Sequence, residues 1–232
     1  MLFIAQMLIF LLIGCDNPIS NKNKSGINQS QTQKTTYSSS SGNRKANVIE
    51  LDSGKKVKFK IGITEPTASA SGNLMERYQA LGKDPGMTIA LWLEAAVRAQ
   101  MGQAEGWEAI GEMTIQDKTR FKDMKDWKTQ PSLFYFVKNI NNKNNAFRSF
   151  FVDATPENGY EIDFENLRID VKRYAGKEGV GHKFFVETSG ADMPRPISLL
   201  ISSKTGYWVV KEFSSAYVDV RPPDNPDKET FE

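Results

Sequence analysis

The order of apolar and polar positions divides the chain into five stretches. Residues 2–13 are apolar apart from Gln6, and residues 16–46 are polar, with Asn, Ser, Gln, Thr and Lys as the main types. Apolar residues then recur at alternate positions over 47–63, at helical spacing over 73–140, and at alternate positions again over 146–221. Alternation is typical of strands, and a spacing of three or four residues is typical of helices. The pattern predicts a leader, a polar spacer and one domain of helices and strands.

The helical stretch, 73–140, predicts several separate helices. The first covers 73–81, because Asn73 is a favourable N-cap and Gly82 follows its last apolar residue. Further helices are predicted over 106–114 and 117–127. Another starts at Pro131, a residue suited to a first helical turn, and its apolar positions continue to Ile140.

The longest of these helices is predicted between the N-cap Thr88 and Gly102. Its apolar face contains Ile89, Trp92, Leu93, Ala96, Val97 and Met101. On the other face Glu94 and Arg98 stand four residues apart, a spacing at which opposite charges pair.

Strands are predicted on both sides of the helices. Before them, two alternating runs flank the turn residues 52–55 and predict a β-hairpin over 47–63. After them, residues 146–221 predict an antiparallel meander with strand positions at Ile169, Val171, Phe184, Val186, Ile197, Leu199, Ile201, Trp208, Val210 and Phe213. Residues 222–232 are polar and predict a disordered tail.

Helices followed by a meander predict an α+β domain over 47–221, with the helices packed on one face of the sheet. The length of 232 residues leaves room for one domain of ordinary size after the leader and spacer. The order of elements resembles the NTF2-like and cystatin-like folds. This likeness concerns the fold and implies no function.

The leader ends in Leu12-Ile13-Gly14-Cys15 and resembles the lipobox of bacterial lipoprotein signal peptides. In that class the leader, here residues 1–14, is removed and the cysteine carries the lipid. The apolar run is too short for a membrane-spanning helix, which needs roughly 20 residues. The same stretch is also compatible with a buried core helix, or with a plain signal peptide followed by a free cysteine. The n-region departs from the usual pattern because it has no Lys or Arg.

Residues 15–46 are predicted to form a disordered tether, since they contain little to bury. A flexible coil of this length has an average end-to-end distance of roughly 30 Å. The tether and the lipobox predict a domain anchored to a membrane by lipid on Cys15, in the bacterial cell envelope. Cys15 is the only cysteine, so the chain has no intrachain disulfide and no cysteine-based metal cluster.

The net charge of +2 does not indicate a nucleic-acid-binding surface. The densest basic run consists of Lys55, Lys56, Lys58 and Lys60, which alternate with apolar residues. Such a pattern favours the solvated face of a strand.

Residues suited to catalysis do not form a recognisable constellation. His182 is the only histidine and is predicted to lie in a surface turn. Residues 153–165 are acidic but depart from the EF-hand pattern. Residues 176–181 lack the glycine spacing of a dinucleotide-binding loop. Glu161, Asp163 and Glu165 alternate, which favours one solvated strand face. We therefore predict no catalytic residue, metal or cofactor.

Two segments carry a more specific likeness, Asp153-Ala-Thr-Pro-Glu-Asn-Gly-Tyr160 and Ser189-Gly-Ala-Asp-Met-Pro-Arg-Pro196. Together they resemble an uncharacterised bacterial family, a domain of unknown function that pairs an ATPEN-x-Y segment with an SGAD-x-PRP segment. The likeness covers roughly 88–222, and this chain has Asp153 where such members have Gly. It implies no activity and no site residue.

The two segments have a structural and a functional interpretation. Their Pro, Asn and Gly residues favour defined turns, and Asp192 is placed to bridge to Arg195 across its loop. Alternatively, Asp153, Tyr160, Asp192 and Arg195 line one rim and bind a polar ligand or a partner.

The leading functional hypothesis is a lipid-anchored envelope protein that acts by binding an envelope or extracellular protein. The alternative is a small-molecule-binding or hydrolytic domain with a cavity between the helices and the sheet. A third hypothesis is a purely structural component of the envelope.

Overall fold

The computed structural model describes residues 47–51, 53–114, 131–142, 144–179 and 181–224. The strands are β1 (Asn47–Glu50), β2 (Lys56–Phe59), β3 (Gly62–Ile63), β4 (Asp170–Glu178), β5 (Gly181–Val186), β6 (Arg195–Ile201) and β7 (Trp208–Glu212). The helices are α1 (Leu74–Leu81), α2 (Pro85–Gln100), α3 (Ala104–Met113) and α4 (Pro131–Asn141). A five-stranded sheet, with order β3-β4-β5-β6-β7, is antiparallel throughout. The predicted α+β class, with helices N-terminal to the sheet, is confirmed.

Alternation along the central strands gives the sheet a buried inner face. Phe184 and Val186 of β5, Ile197 and Leu199 of β6, and Val210 of β7 are fully buried. These predicted strand positions face the core, since residues two apart share a face of a strand. Ile169 and Phe213, also predicted in strands, lie just outside β4 and β7.

The N-terminal hairpin is shorter than predicted. β1 and β2 pair with each other, Val48 opposite Lys58, in a two-stranded sheet of their own. The chain then turns away, and Gly62, at φ 120°, begins β3, which pairs with β4. The alternation over 57–63 hides this break because Ile61 and Ile63 keep the same period as Phe59.

Helix α2 starts three residues before the predicted cap. The side chain of Asp84 accepts a hydrogen bond from the Met87 N–H at 2.9 Å, and Pro85 occupies the first helical position. Thr88 lies inside the helix, where its hydroxyl donates to the Asp84 carbonyl oxygen at 3.0 Å. Helix α1 agrees with its prediction, because Asn73 caps it and bonds reciprocally with Glu76.

Helix α2 is buried around almost its whole circumference, including the face that carries Glu94. The Glu94–Arg98 pair forms at 2.8 Å, but Glu94 has no exposed surface. Its carboxylate also accepts two hydrogen bonds from Arg77 of α1, at 2.7 and 3.0 Å. The apolar face ends earlier than predicted, since Met101 is exposed.

Residues 146–169, predicted to open the β half, contain two 3-10 turns, Arg148–Phe150 and Pro156–Asn158, and a single isolated bridge between Phe151 and Ile169. Phe147 and Phe150 stand three apart, which suits one helical turn better than a strand. Both rings are buried there.

The space between α2 and the sheet is filled by aromatic rings. The ring centroid of Trp92 lies 4.9 Å from that of Phe213, 5.8 Å from that of Phe136 and 6.3 Å from that of Phe147. The Trp92 indole N–H donates to the Thr114 hydroxyl at 2.9 Å, so its polar atom is satisfied. Around Trp92, the space between these elements is therefore packed with side chains.

Several predictions lie outside the described residues, namely the leader over 1–14, the tether over 15–46, the helix over 117–127 and the tail beyond 224. Within the described residues, none of the helices combines the length and apolar character needed to cross a membrane.

Candidate functional site

The two motif segments meet in the folded chain, together with a third segment close to its C-terminal end. We call this assembly of residues 149–160, 188–196 and 218–224 the motif junction. Its parts are far apart in sequence, so sequence spacing could not predict their contact.

The first segment of the junction is a turn held by its own polar groups. Asn158 accepts a hydrogen bond from the Thr155 N–H at 2.9 Å and donates to the Asp153 carbonyl oxygen at 2.8 Å. Gly159 and Tyr160 both adopt left-handed conformations, with φ of 72° and 60°. The predicted structural role of this segment as a defined turn is confirmed.

Tyr160 is the centre of the junction. Its ring is fully buried, and its hydroxyl donates to the Arg221 carbonyl oxygen at 2.5 Å. Burial raises the pKa of this hydroxyl above its ordinary value. A positive φ is unusual for a bulky residue and costs on the order of 1–3 kcal/mol. The side-chain contacts of Tyr160 must offset that cost.

The second segment packs directly on this tyrosine. Gly190, at φ 70°, lies so close that a Cβ atom there would overlap the Tyr160 hydroxyl. Its carbonyl oxygen accepts a hydrogen bond from the Arg221 N–H at 2.8 Å. Next to it, the Ser189 hydroxyl donates to the carbonyl oxygen of Ala154. The two segments thus share hydrogen bonds as well as van der Waals contact.

Arg195 ties the junction to residues 218 and 219. Its guanidinium donates to the carbonyl oxygens of Val218 at 2.5 Å and Asp219 at 2.9 Å. Burial lowers its pKa below the ordinary value for arginine. The predicted bridge to Asp192 is replaced by these backbone bonds, and Asp192 is exposed.

The C-terminal segment is ordered further than predicted. The Asp224 N–H donates to the Pro156 carbonyl oxygen at 2.9 Å, and the Arg221 guanidinium pairs with Glu157 at 2.8 Å. Residues 222–224 therefore belong to the junction and not to the polar tail.

The four predicted rim residues do not share one surface. Asp153 and Asp192 are exposed, and Asp153 pairs with Arg168 at 2.9 Å. Tyr160 and Arg195 are buried and have structural partners. A ligand-binding role for the two exposed aspartates stays a prediction.

The junction also presents two apolar side chains that the sequence did not single out. Met193 has 73% of its surface exposed and Val218 has 52%. They flank Arg195, since Met193 precedes it by two residues and Val218 accepts its hydrogen bond. Apolar side chains that lie together on a protein surface mark interaction sites, whereas single exposed ones are common. In the sequence, the signal for this exposed side chain was the position of Met193 between Asp192 and Pro194, two residues typical of loops.

His182 is not in a surface turn, contrary to prediction. It is the second residue of β5, is buried, and its Nδ1 lies 2.8 Å from the Tyr174 hydroxyl oxygen. Its ring contacts Trp208 edge-on. These contacts show that His182 is a core residue of the sheet.

The acidic residues 161–165 lie in a loop and not on a strand. Glu161 and Asp163, together with Asp153, border a small pocket of about 20 Å³, room for roughly one water molecule. Among the described residues, no group of three or more His, Cys, Asp or Glu side chains is arranged to hold a metal ion.

Comparison with known proteins places the domain in a family. No curated protein and no solved structure matches the chain. One family model matches residues 68–224, a range that contains both motif segments and the whole junction. The chain belongs to the family described as Domain of unknown function (DUF6935).

Proposed function

We propose that the chain is a lipid-anchored protein of the bacterial cell envelope and that its α+β domain acts by binding a protein partner. The observation that carries the proposal is the apolar run ending in Leu12-Ile13-Gly14-Cys15, followed directly by a polar spacer. A lone cysteine at this position has no disulfide partner within the chain. Lipidation gives it a role.

Binding is favoured over catalysis by the way the domain uses its polar residues. Tyr160 and Arg195, the most promising polar side chains of the motif segments, are engaged by backbone carbonyl groups. The rings of Phe136 and Phe213 pack closely against Trp92 of α2, so this part of the core is filled by side chains. The junction exposes to solvent the apolar side chains of Met193 and Val218, which flank Arg195. We take this surface as the binding site.

The anchor is tested in cells labelled with a fatty acid that can be detected by click chemistry. We expect label on the wild-type chain and none on Cys15→Ser. A double variant, Cys15→Ser with Ser20→Cys, is the matched control, because it keeps one cysteine but moves it away from the lipobox. Equal labelling of all three chains would contradict the anchor. Protease treatment of whole cells then tells whether the domain faces outward or into the periplasm.

The binding surface is tested by photocrosslinking in cells. A photoreactive amino acid replaces Met193 in one strain and Lys204, an exposed residue of the β6–β7 turn, in another. We expect one discrete crosslinked species from position 193, and its loss when Val218 is changed to Asp. Crosslinks that are the same from both positions, or that survive Val218→Asp, would contradict a partner at this surface.

A further inference from the structure

Positive charge is concentrated at the start of the chain. Residues 16–60 contain nine Lys and Arg against three Asp and Glu, a net charge of +6. The whole chain has a net charge of only +2, so residues 61–232 carry −4. Such asymmetry is typical of proteins in which one part contacts an anionic surface.

The hairpin β1–β2 displays this charge on one face. Alternation directs Ile49 and Phe59 inward, where they are 2% and 3% exposed. The Phe59 ring packs edge-on against Tyr174 and Phe184, which fixes the hairpin on the sheet. The opposite side, which we call the hairpin face, consists of Val48, Glu50, Lys56, Lys58 and Lys60, all exposed.

The charge of the hairpin face is only partly balanced by neighbouring acids. Glu50 stands opposite Lys56, and Lys60 is near enough to Asp84 to act on its carboxylate. None of the three lysines forms an ion pair within 4.0 Å with another described residue. Val48, half exposed and opposite Lys58, adds an apolar side chain among the ammonium groups. Lysines around an apolar side chain suit the boundary between lipid headgroups and acyl chains.

We infer that the hairpin face docks on the anionic phosphate headgroups of the membrane in which Cys15 is anchored. This inference rests on the proposed anchor, because a flexible chain of the length of residues 15–46 would keep the hairpin at an average distance of roughly 30 Å from the lipid. At that distance the contact is effectively intramolecular, so a weak electrostatic attraction suffices. Each lysine near an anionic membrane strengthens binding by roughly fivefold. Docking by β1–β2 fixes the orientation of the domain relative to the membrane.

Lysine footprinting on the purified full chain tests the inference. The chain is reconstituted in vesicles of phosphatidylcholine, with or without phosphatidylglycerol, and acetylated briefly. Mass spectrometry then compares the acetylation of Lys56, Lys58 and Lys60 with that of the exposed Lys204. We expect the hairpin lysines to react at least roughly fivefold more slowly in the anionic vesicles. Salt at about 1 M should abolish this protection, since the Debye length is then about 3 Å.

Two charge-matched variants are compared by cosedimentation with the same vesicles. Lys56→Gln/Lys58→Gln/Lys60→Gln should lose the salt-sensitive part of binding to anionic vesicles. Lys83→Gln/Lys177→Gln/Lys204→Gln has the same net charge and should retain it.

Equal acetylation of hairpin lysines and Lys204 in anionic vesicles would overturn the inference, as would equal protection in neutral vesicles. The mass spectra of the footprinting experiment also report the mass of the peptide that contains Cys15. A chain that is not lipidated would still be held on the vesicle by its uncut apolar leader. Failure of the anchor and failure of docking are therefore distinguishable.

Discussion

At the scale of single residues, the motif junction depends on a tyrosine in an unfavourable backbone conformation. Tyr160 keeps φ at 60° while its hydroxyl reaches the Arg221 carbonyl oxygen. Gly190 lies against that hydroxyl and has a positive φ of its own. The two residues therefore depend on each other, and neither tolerates a larger neighbour.

We expect Gly190→Ala to lower the free energy of unfolding by about 1–3 kcal/mol, because it adds both backbone strain and an overlap with Tyr160. Tyr160→Phe should cost about 1 kcal/mol, for one lost hydrogen bond. The double variant should cost less than the sum, since Phe removes the overlapping oxygen. Urea unfolding of all four chains measures this coupling, and strictly additive losses would contradict the packing described.

Glu94 is the second residue on which the stability of the fold depends. It is fully buried on α2 and accepts hydrogen bonds from Arg77 and Arg98. Arg77 is itself buried, so the pair is sheltered from solvent on both sides. Removing one partner of such a pair leaves an uncompensated charge in the core.

Glu94→Gln should therefore lower the free energy of unfolding by about 3–5 kcal/mol. Arg168→Ala, which breaks the exposed pair with Asp153, is the control and should cost at most about 1 kcal/mol. The double variant Arg77→Met/Glu94→Leu should recover much of the loss, because it removes both charges. A loss below about 1 kcal/mol in Glu94→Gln would show that water reaches the pair.

At the scale of elements, helix α2 shows what spacing alone can and cannot predict. Its apolar stripe identified the helix and its end near Gly102. Its start was misplaced because Asp84-Pro85-Gly86 fits a turn as well as an N-cap followed by Pro. Its burial was missed because Arg77, the buried partner of Glu94, comes from another helix.

The cap at Asp84 gives the prediction at this scale. Asp84→Ala should cost about 1 kcal/mol, because the Met87 N–H loses its acceptor. Asp84→Asn keeps an acceptor and removes a carboxylate whose pKa burial raises, so it should be neutral or slightly stabilising at pH 7. Thr88→Ser keeps the hydroxyl at the cap position that the sequence predicted, so it does not test that position and serves as the conservative comparison. If Asp84→Ala cost nothing, the Asp84 side chain would not be the cap of the helix.

The same limit applies to the motif junction. The turn over 153–160 follows from its Pro, Asn and Gly residues and was predictable. Its contacts with Gly190 and Arg221 join residues about 30 or more positions apart, and no local pattern indicates them. Tyr160 and Arg195 were chosen as site residues for their chemistry, yet their burial could be known only from the fold.

At the scale of the whole molecule, tyrosine burial predicts the response to alkali. Tyr78, Tyr160, Tyr174 and Tyr217 all have pKa values raised above the ordinary value of about 10, and burial is the main cause for each. The unfolded chain then releases these protons at lower pH than the folded chain. Stability is therefore fully retained below about pH 10 and falls above it.

We expect the urea midpoint to be constant between pH 8 and 9 and to fall steeply above about pH 10. Each tyrosine that stays protonated only when folded contributes roughly 1.4 kcal/mol per pH unit. Tyr78 shows the largest shift, and its hydroxyl donates to the Trp208 carbonyl oxygen at 2.6 Å. Tyr78→Phe should flatten the slope by about that amount. The same slope in both chains would mean that Tyr78 is accessible to water.

The proposal that lipid on Cys15 anchors the domain to a membrane is tested by the intact mass of the chain purified from its own membranes. A lipid anchor predicts a chain that begins at Cys15 and carries an added diacylglycerol group, and this mass should be absent from Cys15→Ser. A full-length chain with unmodified Cys15 would contradict the anchor, and with it the localisation, while leaving the fold and the motif junction unchanged.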